Sequence, residues 1–106
     1  MSAKQIDSLE TVVAGVKEAL DSGDLKRAFR LCTGALASDN HPYLLALKAV
    51  ILLKLNRRLD SYKAAVEAQT HIASTQSTAF DLLITVFKDL RKYNNVAQLY
   101  ERAYEE

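Results

Sequence analysis

The 106-residue chain has no tryptophan, one proline, one cysteine, one methionine and three glycines. A single cysteine cannot close an internal disulfide, which fits a reducing compartment. With so few glycines and prolines, and abundant Ala, Leu, Lys and Glu, the composition favours helix throughout. No apolar run approaches the roughly 18 residues that a membrane helix needs. The longest, from Ala49 to Leu53, is five residues long and is bounded by Lys48 and Lys54. The segment from Met1 to Asp7 has no apolar signal core, so neither a secretory nor a transit peptide is expected and the expected location is cytoplasmic. An excess of one charge is lacking too, since the formal net charge is only +1.

What is present is enough apolar material for one core. At 49% hydrophobic the chain is not simply disordered, and its length suits a single domain, residues 1–106. The neutral total hides an uneven distribution. Residues 1–24 carry two bases against five acids, residues 25–63 eight against two, and residues 64–106 four against six. A basic middle between acidic ends can steer an anionic partner, although cations coating solvated helix faces are the commoner origin of such a pattern.

Apolar residues recur at spacings of three and four. Six stripes result, opening at Ile6, Leu25, Leu44, Tyr62, Phe80 and Val96, and each predicts an amphipathic helix. The third, Leu44 to Leu55, is apolar on more than one side. Ser22-Gly23-Asp24 offers a left-handed glycine stop followed by an aspartate cap. Asp39-Asn40-His41-Pro42 ends one helix and begins the next, with proline early where its missing N–H costs nothing. Asn56-Arg57-Arg58, the polar run Ser74 to Thr78, and Tyr93-Asn94-Asn95 are the remaining breaks, with Ser77 or Thr78 as the cap after the fourth helix.

Superposing the breaks exposes a repeat. Ser22–Ala28 falls on Leu55–Ser61 at an offset of 33, and that on Leu90–Val96 at an offset of 35. Ala28, Ser61 and Val96 then share one position, and Ala35, Ala68 and Ala103 another. Small residues there let paired helices approach closely. The pattern resembles the tetratricopeptide repeat (TPR), a helix-turn-helix unit of about 34 residues. The large apolar and small positions of its first helix correspond to Phe80, Leu83, Ile84 and Phe87 in the third repeat. Leu45, Lys48, Ala49 and Leu52 fill them in the second, and Val12, Gly15, Val16 and Ala19 in the first. The family's tryptophan is missing from all three. The resemblance implies an all-α fold of three repeats, about 5–39, 42–75 and 77–106, forming a short right-handed α-solenoid.

No catalytic constellation accompanies the repeats, so no enzyme, cofactor or metal is expected. His41 and His71 stand thirty residues apart without a second ligand at zinc spacing. Cys32 occupies a packing slot and is expected to be buried and inert. Binding through helix surfaces remains, with Tyr43, Ala46, Val50, Leu53 and Lys54 facing a groove in the second repeat. Thr78, Asp81, Thr85, Lys88 and Asp89 do so in the third. Ala46 and Val50 stand where chaperone-binding members clamp a C-terminal carboxylate with Lys and Asn, so that ligand is not expected. A partner helix docking around Val50 and Leu53 suits the groove better, with Arg57, Arg58 and Lys63 steering it toward an acidic or ribosomal surface. After the sixth stripe no polar capping helix is evident. Val86, Leu90, Leu99 and Tyr104 are therefore expected on an uncovered end face, which continues into a longer solenoid or closes a homodimer.

A longer likeness joins Leu20-Asp-Ser-Gly-Asp24, Leu47-Lys-Ala-Val50, the stretch Leu82–Arg91 and Leu99-Tyr-Glu101. These resemble the start of the auxiliary subunit of the N-terminal acetyltransferase B (NatB) complex, itself a large TPR solenoid. That resemblance implies a scaffold that holds an acetyltransferase catalytic subunit and helps bring it to the ribosome. The large signal recognition particle subunit opens with similar repeats. It offers the alternative of an RNA-associated module using Lys26, Arg27, Arg30, Arg57 and Arg58.

Overall fold

Among the described residues, apolar spacing at three and four residues becomes six α-helices: α1 (Ser2–Asp21), α2 (Leu25–Leu36), α3 (Pro42–Lys54), α4 (Arg58–His71), α5 (Ser77–Asp89) and α6 (Tyr93–Glu105). The computed structural model describes residues 2–37, 41–71 and 77–105, and the side chains of 10–37, 41–71 and 79–101. No strand occurs among the described residues. The Ser74–Thr78 turn lies outside them apart from the backbone of Ser77 and Thr78, which opens α5.

The turns inside the three repeats are built identically. Gly23, Asn56 and Arg91 adopt left-handed backbone, with φ of 82°, 64° and 61°. Past each, an N–H reaches back to close the helix end: Asp24 to the Ala19 carbonyl at 2.8 Å, Arg57 to Leu52 at 2.9 Å, and Lys92 to Phe87 at 2.8 Å. These positions obey the 33 and 35 offsets of the sequence repeat. The third break therefore lies at Leu90–Lys92, ahead of the Tyr93-Asn94-Asn95 expected, and α6 begins at Tyr93. Asparagine tolerates left-handed backbone better than arginine does. Register overrides that preference, because Leu90 before the turn and Val96 after it are both buried.

Between repeats, His41 caps α3 by accepting from the Tyr43 N–H at Nδ1, 3.2 Å away, and Pro42 opens the helix. Asp24 caps α2 through the Arg27 N–H at 3.2 Å.

Consecutive helices pack from α1 to α6, and α3 also packs along α5. This is a helical-repeat solenoid with α3 at its centre. The several apolar sides of α3 are explained by the two clusters it serves. Leu44, Leu47 and Ile51 join Val16, Ala19, Ala28 and Cys32, while Leu45, Ala46, Ala49 and Leu52 join α4, α5 and α6. Buried hydrogen bonds fix it from both sides. Cys32 Sγ donates to the Leu44 carbonyl at 3.1 Å, and Ser61 Oγ to the Ala49 carbonyl at 2.7 Å.

The expected end face is not found at Val86, Leu90 and Leu99. Val86 and Leu99 have no exposed surface and Leu90 has 8%, because the third repeat folds these residues into the cluster shared with α3 and α4. The Tyr104 side chain lies outside the described residues.

Candidate functional site

Among the described residues, the first helices of the repeats, α1, α3 and α5, carry two recesses. One, of about 640 Å³, lies between α3 and α5 and is lined by Val50, Leu53, Lys54, Thr85, Val86, Lys88 and Asp89. Val50 and Leu53 are half-buried, so their methyl groups form an apolar wall that is accessible from outside. Lys54 and Lys88 are exposed, one on each bounding helix, each at the negative carbonyl end where a cation is stabilised.

Six of the ten positions expected to face a groove meet here: Val50, Leu53 and Lys54 from α3, and Thr85, Lys88 and Asp89 from α5. Ala46 does not, since it is fully buried in the core against α4 and α5 neighbours. Asp81 is exposed on α5 but does not line the recess, and the Thr78 side chain lies outside the described residues. Tyr43 sits at the other recess, of about 400 Å³, with Glu10, Val13, Ala14 and Lys17. There the Lys17 ammonium lies 5.5 Å from the Tyr43 ring centroid. Hydrogen bonding to Tyr43, and then its Coulombic attraction, raise the Lys17 pKa above its ordinary value.

The three steering residues separate. Arg57 is engaged by Asp60, at 2.6 Å from Nη2 and 2.9 Å from Nε. Arg58 donates from Nη2 to the Asp89 carbonyl at 3.1 Å, tying the α3–α4 turn to the end of α5. Lys63 is exposed on α4 and does not line the groove. Lys26, Arg27 and Arg30 are exposed on α2. Two bases were missed. Arg91 and Lys92 lie in the turn between α5 and α6, and Lys92 Nζ lies 5.0 Å from the ring centroid of Tyr62 on α4. The repeat alignment holds the signal for them, because it places Arg91 and Lys92 level with Asn56 and Arg57.

Burial pushes the Cys32 thiol up to about 11, against a smaller opposing effect of Lys48, so it is not the thiolate a nucleophile requires. Among the described residues no group of three or more His, Cys, Asp or Glu is placed to hold a metal ion. Among them, too, no helix is long and apolar enough to cross a membrane.

Comparison with known families decides the lineage. A family model described as the Psidin N-terminal TPR repeats region matches residues 10–106. The chain belongs to that family. Comparisons with curated proteins and with solved structures gave no match. TPR repeats generally mediate protein–protein interaction and are typically non-catalytic, and in this TPR array the α3–α5 groove is the larger described recess.

Proposed function

We propose that this TPR chain is a non-catalytic scaffold whose α3–α5 groove receives a helix of a protein partner. We further assign it to the N-terminal solenoid of a NatB auxiliary subunit, where it supports the catalytic subunit and its association with the ribosome. The observation that carries the groove reading is the half-buried pair Val50 and Leu53 facing α5 across an open recess. Such a surface suits the apolar side of an amphipathic helix. The NatB assignment is supported by the likeness along Leu20–Asp24, Leu47–Val50, Leu82–Arg91 and Leu99–Glu101.

One aliphatic anchor seated in the groove contributes about 1.5–3 kcal/mol. That is too little alone for a stable complex, so neighbouring surface must add to it. The RNA-associated alternative is less well supported. Of its five bases, Arg57 is paired with Asp60, and Lys26, Arg27 and Arg30 stand on α2 and do not line the groove.

The test is co-purification with a NatB catalytic subunit, comparing the wild type with Val50→Asp. A charge at this half-buried position disrupts the groove while leaving the fully buried positions untouched. Loss of at least tenfold in binding, with an unchanged helical spectrum, is the expected result. Failure of the wild-type chain to bind any such subunit overturns the NatB assignment. Binding that Val50→Asp does not weaken removes the groove.

A further inference from the structure

The sequence places Arg91 and Lys92 in an acidic third of the chain, yet the fold sets them beside the basic α3–α4 turn. Two contacts join the turns: Arg58 Nη2 to the Asp89 carbonyl, and Lys92 above the Tyr62 ring. Lys54, Arg57, Arg58, Lys88, Arg91 and Lys92 are all exposed along this edge, against Asp60 and Asp89. Pairing with Asp60 neutralises Arg57. An excess of positive charge remains at the mouth of the apolar groove.

The matching edge of the first repeat has the opposite sign. Its turn, Asp21-Ser22-Gly23-Asp24, contains two exposed acids and no base. Helix ends favour a nearby cation, which accounts for Lys54 and Lys88 individually. It does not account for the difference between repeats, because α1 ends on Asp21 in the same geometry.

We propose that the occupant of the α3–α5 groove is an acidic amphipathic helix of a partner protein. Its apolar side chains seat against Val50 and Leu53. Its carboxylates face the edge formed by Lys54, Arg58, Lys88, Arg91 and Lys92. This rests on the groove reading above and adds the chemistry of the partner. A protein is favoured over a nucleic acid because Val50 and Leu53 have nothing to offer a sugar–phosphate backbone, whereas an amphipathic helix satisfies groove and edge together.

The experiment uses the whole chain and three labelled probes: a synthetic Leu/Ala/Glu helical peptide, its Leu/Ala/Lys counterpart, and an oligouridine. Binding is followed by anisotropy at low and physiological salt, and backbone amide shifts locate the site. The acidic peptide is expected to shift the amides of 50–54 and 85–92, and to weaken about tenfold as salt is raised. Lys54→Glu combined with Lys88→Glu, both at exposed positions, is expected to weaken it at least tenfold and to let the basic peptide bind. Equal binding of both peptides at those amides overturns the acidic partner while leaving the groove reading intact. An oligouridine that binds there while the acidic peptide does not overturns it in favour of RNA. If neither peptide nor oligouridine moves those amides, the groove reading falls as well.

Discussion

The two junctions between repeats are built differently. At the second, α5 packs against both helices of the preceding repeat, α3 and α4. At the first, α3 packs along α2, and among the described residues α1 meets α3 through side chains, Val16 and Ala19 with Leu44, Leu47 and Ile51, with less of the close backbone approach that α3 has to α5. Polar groups widen the difference. Across α4 and α6, Tyr62 donates to Asn95 at 3.4 Å, Asn95 to Gln69 at 3.0 Å, and Gln69 to Gln98 at 3.2 Å. A repeat array is held by contacts between neighbours, so unequal junctions give unequal local stability. The first repeat is the looser end, and the groove we assign to a partner lies at the firmer junction. A groove between tightly packed helices keeps its shape before a ligand arrives, which lowers the ordering cost of binding.

The largest expected effects come from the two apolar clusters. Phe87 is fully buried at the second junction, edge-on to Tyr62 with ring centroids 6.1 Å apart. Phe87→Ala should lower stability by about 3–5 kcal/mol, and Leu44→Ala at the first junction by about 2–5 kcal/mol. Native-state hydrogen exchange separates them. In the wild type, amides of α1 and α2 should exchange before those of α3 to α5. Leu44→Ala should widen that gap and Phe87→Ala narrow it. Uniform loss of protection in both variants would mean a single cooperative unit and would dissolve the contrast between junctions.

The helices and repeat offsets were legible in the sequence because burial imposes a 3.6-residue period, and Gly23, Asn56 and Pro42 are strong local punctuation. The third turn was misplaced because Asn94 and Asn95 are better turn formers than Arg91. Local preference and repeat register disagreed there, and register won. Most of the groove was legible for the same periodic reason, since Val50 and Thr85 share one position, as do Leu53 and Lys88. Ala46 was not, because a groove position and a core position differ only in how closely α5 approaches. The basic edge was invisible to a running sum of charge, which assigns Arg91 and Lys92 to an acidic segment. Contact between distant turns brings them to Arg58. Val86, Leu90 and Leu99 were read as an end face because a stripe shows that a residue is apolar but not which neighbour covers it.

The next effect isolates the first junction by pH. Cys32 is fully buried there, with its thiol pushed from 9.0 up to about 11 mainly by desolvation. Its S–H also donates to the Leu44 carbonyl, a contact a thiolate would turn repulsive. Folding therefore favours the protonated form. The stabilisation is complete below pH 9 and is lost as pH rises toward 11, amounting to about 2–3 kcal/mol at one pKa unit per 1.36 kcal/mol. Unfolding of Cys32→Ala should fall less steeply over that interval than unfolding of the wild type. Parallel curves would show that the thiol is not desolvated and that the first junction already admits water.

The smallest effects lie in the three equivalent turns, where geometry is shared and residues differ. An added Cβ at Gly23 meets nothing within 4 Å, so Gly23→Ala tests backbone alone, at a φ of 82°. It should cost about 1–2 kcal/mol. At Arg91, with a φ of 61°, the same strain is already present. Arg91→Gly should relieve it and raise stability by about 0.5–1 kcal/mol, the gain being reduced by the freer unfolded chain. Asn56→Gly should change little, because asparagine tolerates this region. If Arg91→Gly instead destabilises, the guanidinium holds the third turn by a contact that outweighs its backbone strain. The basic edge would then be part of the fold as well as a surface offered to a partner.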